Sequence, residues 1–196
     1  MKIIKYINYW TEDKKIKSEK ATVGKWDIWN KTKYKSKVEK GELTSEQVAR
    51  DNHPKGFAYE FCAFEREGDE IPFALVNLVL RSNHAGVDFI DPAGRNYLSY
   101  LFGESKRSPE ELFLREVWYY NFPTENTEEE DYRMHFVFDE EGNVNYRKYD
   151  EVNKKTLDYE SNRQFNMTGL YEPIPTFGDY ESLIRLERDL PIDVMI

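Results

Sequence analysis

The sequence predicts an α+β fold that consists mainly of an antiparallel sheet, with a few short helices and a C-terminal amphipathic helix. Three observations favour this class. Short segments of alternating apolar and polar residues are separated by turns that contain glycine or proline, as between consecutive β-strands. Helix-start signals are few, and each precedes a short segment. Aromatic residues make up 15% of the 196 residues, which provides large side chains for one core.

We expect a single domain over residues 1–196, within which charge is distributed unevenly. Residues 1–55 contain 14 Lys and Arg against 8 Asp and Glu, whereas residues 56–196 contain 14 against 29. We call these two parts the basic N-terminal portion and the acidic body. An acidic surface repels nucleic-acid phosphates and anionic lipids and attracts basic proteins, although it also serves simply to keep a protein soluble.

The basic N-terminal portion begins with a predicted strand over 2–10 and reaches a lysine-rich segment over 25–40. Lysines that follow Trp26 and Trp29 are typical of single-stranded nucleic-acid binding, but they also protect the edge of a sheet against association. We favour the edge strand because the acidic body makes a nucleic-acid partner unfavourable. The side chains expected on one face of this extended segment are Lys31, Lys33, Lys35 and Lys37.

Two helices are predicted from their first residues. Thr44 and Gln47 have the spacing of a capping box, which predicts a helix over 43–52. Asp179 is a suitable N-cap for an amphipathic helix over 178–190. In that helix the side chains expected to face the core are Tyr180, Leu183, Ile184 and Leu190, and those expected to face solvent are Glu181, Arg185 and Arg188.

Strand patterns fill the region between these helices. An adjacent pair is predicted over 56–67 and 71–82 at the centre of the sheet, and the second strand is apolar enough to be covered on both faces. Residues 96–103 fit either a strand or a short helix. Three further segments follow the same logic: a strand over 87–91, a helical turn at 108–111, and the strand that this turn leads into over 113–122.

Residues 132–150, YRMHFVFDEEGNVNYRKYD, predict a β-hairpin with Gly142 in its turn. In this hairpin Phe136 lies opposite Tyr146, an aromatic pair that stabilises neighbouring strands. A calcium loop is the alternative reading. An EF-hand loop that started at Asp139 would need its glycine two residues later than Gly142, so the sharp bend would fall in the wrong place. We therefore expect a hairpin.

Catalytic and metal-binding motifs are not recognisable in the sequence. His53, His84 and His135 have no metal-ligand spacing, and phosphate-binding glycine loops and nucleophile elbows are absent. The single cysteine, Cys62, lies in a strand pattern and is expected to pack as a small apolar side chain. An enzyme would need His84, Asp88 and a buried glutamate to share one cleft. We expect no catalytic residue, no cofactor and no metal.

The cellular location is predicted from what the sequence lacks. The first ten residues, MKIIKYINYW, contain no uninterrupted apolar segment of the kind that a secretion signal requires. No run of about 18 apolar residues occurs, so no membrane-spanning helix is expected. One unpaired cysteine suits a reducing compartment. Together these features predict a cytoplasmic protein that does not enter a membrane.

Acidic loops over 123–131 and 139–142 predict a surface that binds a basic protein, for which nearby aromatic side chains provide anchors. The two loops lie at opposite ends of the strand 132–138, roughly 23 Å apart, so their charges are spread unless a neighbouring loop joins one of them. The residues expected to contact the partner are Trp118, Tyr120, Glu125, Glu128, Glu129, Glu130, Asp131, Tyr132, Asp139, Glu140 and Glu141.

The hairpin over 132–150 and the acidic tracts resemble features of the immunity proteins that bacteria encode beside polymorphic toxins. Its sequence is similar to the Phe-x-Phe-Asp-x-x-Gly hairpins common in that group, here Phe136 to Gly142. The resemblance implies a small, acidic, cytoplasmic domain that binds and neutralises a cognate toxin, often a basic nuclease. The basic N-terminal portion departs from the uniformly acidic surface of such inhibitors.

Two other classes of function stay open. The first is a small-ligand-binding domain or an enzyme of unknown reaction, with aromatic side chains around a pocket. The second is a self-associating structural protein, in which the basic N-terminal portion of one copy docks on the acidic body of another. That arrangement would explain why both charges occur in one chain.

Overall fold

The computed structural model describes residues 2–124 and 127–191. Three helices are present: α1 (Glu19–Asn30), α2 (Lys35–Glu39) and α3 (Ser45–Asn52). In chain order the strands are β1 (Ile3–Lys5), β2 (Tyr9–Trp10), β3 (Lys15–Ile16), β4 (Tyr59–Phe64), β5 (Ala74–Val79), β6 (His84–Ile90), β7 (Asn96–Glu104), β8 (Glu111–Asn121), β9 (Tyr132–Phe138), β10 (Val144–Asp150), β11 (Lys155–Glu160) and β12 (Tyr171–Pro173).

Ten of these strands form one antiparallel sheet, which confirms the predicted α+β class with a mainly antiparallel sheet and a few short helices. Its order is β1-β4-β5-β6-β7-β8-β9-β10-β11, and β12 pairs with the first residues of β8. From β4 to β11 every strand pairs with the next strand in the chain, so the chain runs up and down across the sheet. A separate two-stranded hairpin consists of β2 and β3. In the described part of the chain, no helix has the length and apolar composition needed to cross a bilayer.

One face of the sheet packs against α1, α3 and the C-terminal segment, and we call it the core face. Tyr180 from the C-terminal segment stacks on Phe61 of β4, with ring centroids 4.1 Å apart. Its hydroxyl lies 3.1 Å from that of Tyr59 and 3.3 Å from that of Tyr6. Because these three buried hydroxyls bond one another, none of them is left without a hydrogen-bond partner.

The opposite face of the sheet, which we call the open face, is covered only in part. Tyr9 of β2 packs there on Cys62, and its hydroxyl donates to the carbonyl of Gly94 at 3.1 Å. Gly94 has a φ of +83°, and a Cβ there would lie 2.6 Å from the Tyr9 hydroxyl, so this contact requires glycine. Over β8, β9 and β10, by contrast, the side chains of the open face are half-buried or exposed.

The predictions that rest on local signals are confirmed. The helix α3 begins with the complete capping box of Thr44 and Gln47. The strands β9 and β10 form the predicted hairpin, in which Phe136 is opposite Tyr146 with ring centroids 5.3 Å apart. Gly142 has a φ of +99° in the turn, as that hairpin requires. Residues 96–103 resolve to the strand β7 rather than a helix.

The strand pair over 56–67 and 71–82 is formed by β4 and β5, but its predicted position is wrong. The two strands lie beside the edge strand β1 rather than at the centre of the sheet. It is β4, not β5, that is buried along its whole length, because the core packs on one of its faces and the β2–β3 hairpin region on the other. The turn expected at 108–111 leads directly into β8.

The extended lysine-rich segment predicted over 25–40 is wrong, because this region is helical. The helix α1 ends at Asn30, and the next residue, Lys31, has a φ of +57°. The Asp27 side chain then accepts hydrogen bonds from the hydroxyl of Thr32 at 2.6 Å and from the backbone N–H groups of Tyr34 and Lys35 at 2.9 and 2.8 Å. These bonds turn the chain from α1 into α2, so the alternating lysines do not share one face.

The strand predicted over 2–10 is divided into β1 and β2. The backbone N–H of Asn8 donates to the hydroxyl of Thr22 at 3.0 Å, and its side chain donates to Glu60. These contacts tie the chain between the two short strands to α1 and β4, which interrupts the sheet pairing.

The C-terminal amphipathic helix predicted over 178–190 is also wrong, since only a turn forms there. The guanidinium of Arg188 donates to the carbonyls of Ser182 and Leu183 at 2.6 and 3.1 Å, which a continuing helix would use for its own N–H groups. The Arg188 side chain is fully buried and pairs with Glu172 instead of facing solvent. The apolar pattern still places three side chains in the core: Tyr180, Leu183 and Ile184.

The buried carboxylate of Glu172 holds this C-terminal segment on the sheet through Arg185, at 2.6 Å, and Arg188. We predict that Glu172→Ala lowers the free energy of unfolding by about 3–5 kcal/mol, because it leaves the Arg188 guanidinium buried without its counter-charge. Urea unfolding at neutral pH measures this change. The matched control Glu181→Ala removes an exposed carboxylate from the same segment and should change stability by less than about 0.5 kcal/mol. Equal effects of the two variants would contradict the assignment.

Candidate functional site

Four loops lie at one end of the sheet because β4, β6, β8 and β10 run in the same direction, and three of them carry a net negative charge. We call this end the acidic rim and define it as residues 65–70, 91–95, 127–131 and 150–154. It contains eleven Asp and Glu against three Lys and Arg. The rim extends over roughly 30 Å, since the first and last of its loops are six strand spacings of about 4.8 Å apart. The acidic loop after β8 is therefore joined by neighbouring acidic loops.

The opposite end of the sheet has a nearly balanced charge. Its three hairpin loops, residues 80–83, 105–110 and 139–143, contain four Asp and Glu against three Lys and Arg. Of the net charge of −15 in the acidic body (14 basic against 29 acidic residues), the rim loops thus hold −8 and the opposite loops −1. A field with this polarity attracts positively charged molecules toward the rim.

The basic N-terminal portion neutralises part of the rim. Lys14 lies 2.6 Å from Glu128, and Lys5 lies 3.0 Å from Glu67. Lys2 pairs with Glu65 in the same way. Other rim carboxylates have no such partner: within 2–124 and 127–191, ion pairs are not formed by Glu70, Glu129 and Asp131.

Arg95, which was not among the residues predicted from the sequence, holds two of the rim loops in place. Two guanidinium nitrogens of Arg95 donate to Asp91 at 2.8 and 2.6 Å, and the third donates to the carbonyls of Thr124, at 2.9 Å, and Thr127. The guanidinium also lies 4.2 Å from the ring centroid of Phe122. This buried side chain therefore joins the turn after β6 to the acidic loop after β8. The sequence did contain a signal for this contact, because Asp91 precedes Arg95 by four residues across a Pro-Ala-Gly turn.

A groove of about 720 Å³ lies between the last two rim loops. Arg133 crosses it, at 2.5 Å from Glu130 and 3.4 Å from Glu151. Val152 on its wall is 68% exposed, which adds an apolar contact beside the carboxylates. The groove can thus accept a basic side chain together with its aliphatic stem.

Beside the rim, the open face carries a stack of rings that we call the aromatic cluster: Trp118, Tyr120, His135 and Tyr149. His135 stacks on Trp118 with a centroid distance of 3.8 Å and an angle of 10° between their planes. Tyr120 and Tyr149 each lie 6.3 Å from Trp118 with similar orientations. Cross-strand pairing explains the arrangement, because Trp118 is opposite His135 and successive residues on one face are two apart.

The aromatic cluster and the rim form one continuous surface. Burial raises the pKa of the Tyr120 hydroxyl, and the nearby negative charges of Asp88 and Glu130 raise it further. A phenol is already protonated at neutral pH, and this shift keeps the Tyr120 hydroxyl a hydrogen-bond donor into more alkaline solution. Arg133 connects the two parts, since its guanidinium lies 4.7 Å from the ring centroid of Tyr149 while it pairs with Glu130.

The predicted contact residues fall into separate places. Trp118 and Tyr120 belong to the aromatic cluster, and the rim contains Glu128, Glu129, Glu130 and Asp131. Tyr132 is one of the partly buried residues that pack against the core. Its ring centroid lies 6.3 Å from that of Tyr119 and 4.0 Å from the Lys148 ammonium. Glu125 lies outside the described residues.

The remaining predicted contact residues lie in the turn of the β9–β10 hairpin, at the balanced end of the sheet. Asp139 accepts hydrogen bonds from the backbone and side-chain nitrogens of Asn143 at 2.9 and 2.7 Å. Glu140 accepts one from the hydroxyl of Tyr171 at 2.9 Å, and Glu141 pairs with Lys106 at 2.7 Å. All three carboxylates are thus engaged in bonds within the protein.

The side chains that the enzyme alternative requires in one cleft, namely His84, Asp88 and a buried glutamate, are not arranged in that way. Asp88 and His84 both lie on the open face of β6, but four residues separate them by roughly 13 Å. Burial raises the pKa of Asp88 and lowers that of His84. The buried Glu60 is already paired with Lys25 at 2.8 Å. Burial also raises the pKa of the Cys62 thiol, which disfavours the nucleophilic thiolate.

Metal ligands are not clustered either. Over the residues that the structure describes, no group of three or more His, Cys, Asp and Glu side chains is placed to bind a metal ion. Comparison with protein-family models, with curated proteins and with solved structures gives no match to this chain.

The role assigned to Arg95 gives a direct prediction. We expect Arg95→Lys to increase amide hydrogen exchange in residues 127–131, because a lysine ammonium does not reproduce the planar fork that bonds Asp91 and two carbonyls at once. Hydrogen-exchange mass spectrometry measures this change. Arg66→Lys makes the same substitution at an exposed rim position and should leave the exchange of 127–131 unchanged. Unchanged exchange in Arg95→Lys would show that other contacts hold the loop.

Proposed function

We propose that this chain is a binding protein that recognises a basic protein partner through the acidic rim and the aromatic cluster. Within that class, we propose that it acts as an immunity protein, which neutralises a basic toxin by direct binding. The single observation that carries the proposal is the difference in charge between the two ends of the sheet. The rim loops contain eleven acidic against three basic residues, an excess of eight, of which Lys2, Lys5 and Lys14 offset three, and the loops at the other end contain four against three.

The rim and the cluster supply different parts of binding. Long-range attraction by the rim carboxylates raises the rate at which a positively charged protein arrives in the correct orientation. Retention after arrival depends on large side chains that exclude water, and Trp and Tyr are the residues most often found in that role. Trp118 and Tyr120 are half-buried and already ordered by their stacking, so binding costs little additional side-chain entropy.

A basic nuclease fits this surface chemically. Such an enzyme binds nucleic-acid phosphates with Lys and Arg side chains, and carboxylates are the protein groups that pair with the same cations. A rim that extends over roughly 30 Å offers carboxylates at successive positions, as a phosphate backbone does. The proposed inhibition is therefore competition for the cationic surface of the toxin.

The Phe-x-Phe-Asp-x-x-Gly hairpin has a structural role in this proposal. Asp139 bonds Asn143 across the turn and Gly142 adopts a positive φ, while Phe136 and Phe138 are buried. The hairpin positions β9 and β10, and these strands present His135, Arg133 and Tyr149 to the open face. In this proposal, the hairpin that resembles those of immunity proteins supports the surface rather than forming it.

Some of the opposite charges of the two parts of the chain pair with each other inside one molecule. Three lysines of the basic N-terminal portion pair with rim carboxylates of the same molecule, namely Lys2, Lys5 and Lys14. Such pairs are weak at an exposed surface, so a partner with more cations displaces them at little cost.

Co-expression with the product of the adjacent gene tests the proposed function. If that gene encodes a protein with a toxic C-terminal domain, the present chain should co-purify with it and restore the growth of cells that produce it. Failure to co-purify and to protect, with both proteins soluble, would overturn the immunity assignment.

The contribution of the rim is tested by reversing charge at matched positions. We predict that Glu129→Lys combined with Asp131→Lys lowers the association rate with that partner by about tenfold or more at low salt. The control combines Glu104→Lys and Glu110→Lys, which make the same change in net charge at the other end of the sheet. The difference between the two variants should shrink as salt increases. Equal losses in surface-plasmon-resonance rates would mean that only net charge matters.

The anchoring role of the cluster is tested by truncation. We predict that Trp118→Ala weakens binding by about 2 kcal/mol, or roughly 30-fold, and that the loss appears mainly in the dissociation rate. Trp10→Ala removes an exposed tryptophan from the β2–β3 hairpin and serves as the control, with an expected loss below about twofold. An affinity for Trp118→Ala equal to that of the unmodified protein would exclude Trp118 as an anchor.

A further inference from the structure

The two edges of the sheet differ in their protection. At the first edge β1 is only three residues long, and beyond it the Asn30 side chain of α1 bonds both the N–H and the carbonyl of Ala58, each at 2.8 Å. At the other edge β11 has six residues, all exposed. Among residues 2–124 and 127–191, no strand pairs with its outer side. An unprotected edge of this length is a template for another strand.

The hydrogen-bond groups that β11 directs outward follow from two neighbouring bonds. The N–H of Ser161 donates to the carbonyl of Val144 at 2.8 Å, so Ser161 faces β10. The N–H of Glu151 donates to Asp131 at 2.9 Å on the other side of β10, which agrees with the same alternation. Because antiparallel strands alternate their bonding direction, three residues of β11 direct their N–H and C=O groups outward: Thr156, Asp158 and Glu160.

We propose that a second copy of this chain pairs with β11 in antiparallel orientation, with Leu157 opposite Leu157 on the two-fold axis. Thr156 of each copy then lies opposite Asp158 of the other, and the outward N–H and C=O groups of these residues bond across the interface. Leu157 is 46% exposed in one copy, and Tyr159 is 45% exposed. Both gain cover from the second copy, where Lys155 lies opposite Tyr159 and its ammonium can contact the ring.

Charge complementarity selects this register and this occupant. A two-fold axis through the sheet pairs residues of the same face, so the register can shift only in steps that move the axis by one residue. Shifting the axis to Asp158 places the two Asp158 carboxylates opposite each other. Shifting it to Tyr159 places Asp158 opposite Glu160. The axis at Leu157 opposes no like charges and pairs five residues of β11, 155–159, with residues of β11, whereas an axis at Thr156 pairs only three.

In this dimer the two sheets continue into each other with their open faces on the same side. The acidic rims point in opposite directions, since the two copies of β11 are antiparallel. Both rims and both aromatic clusters stay accessible. This proposal rests on the edge strand β11 and does not depend on the proposed function. An interface made mainly by one strand is at the small end of stable interfaces, so the dimer forms reversibly with concentration.

Cysteine cross-linking tests the register. The native Cys62 is buried, so an introduced thiol is the reactive one. Opposed residues on the axis at Leu157 have Cα atoms about 4.5 Å apart, within the range of a disulfide. Under air oxidation Leu157→Cys should form a covalent dimer at least tenfold faster than Tyr159→Cys, whose two copies lie roughly 13 Å apart along the strands. Equal rates, or faster cross-linking by Asp158→Cys, would overturn the register.

A second measurement tests the edge itself without relying on the thiol. Sedimentation velocity from about 10 µM to about 1 mM should show the unmodified protein passing from monomer to dimer. Thr156→Pro removes an outward N–H and no bond to β10, so it should stay monomeric with an unchanged circular-dichroism spectrum. The matched variant Thr156→Val should dimerise as the unmodified protein does. A monomeric unmodified protein over the whole range, or a dimeric Thr156→Pro, would overturn the proposal.

Discussion

The constraint on which this structure depends is the short connection between successive antiparallel strands. A chain that turns directly into its next neighbour returns every second loop to the same end of the sheet. Loops that are 23 to 85 residues apart in sequence thereby lie along one edge of about 30 Å. The acidic rim is a product of this connectivity, and a crossover at any one strand would have moved part of its charge to the other end.

The proposed binding surface consists of the acidic rim and the aromatic cluster. It results from this topology together with the two-residue period of a strand. Alternation places Trp118 and Tyr120 on the open face, and pairing with β9 and β10 adds His135 and Tyr149 to them. Arg95 fixes the loop between β8 and β9, and Arg133 links the rim to the rings. The rim carboxylates, the aromatic cluster and the Arg95 contacts therefore lie at one corner of the sheet. We expect the carboxylates to attract a partner there and the aromatic side chains to retain it.

Sequence reasoning was accurate where a few neighbouring residues decide the structure. The capping box at Thr44 and the turn at Gly142 are of this kind, and both formed as predicted. It was wrong where a distant partner competes, since the helical pattern after Asp179 gives way to the bond of Arg188 with Glu172. The acidic loop after β8 was visible in the sequence, but its union with the other rim loops follows from strand order, which one sequence does not contain. The same limit hid Arg95 and the edge strand β11.

Nuclear magnetic resonance with a short lysine homopeptide tests the central claim most directly, because the probe carries positive charge and no other recognition feature. We predict that amide shift changes concentrate in residues 65–70, 91–95, 127–131 and 150–154 and decrease as salt increases. Residues 80–83, 105–110 and 139–143 at the other end should change little. Shift changes of equal size at both ends would contradict the claim that one end of the sheet carries the attractive field.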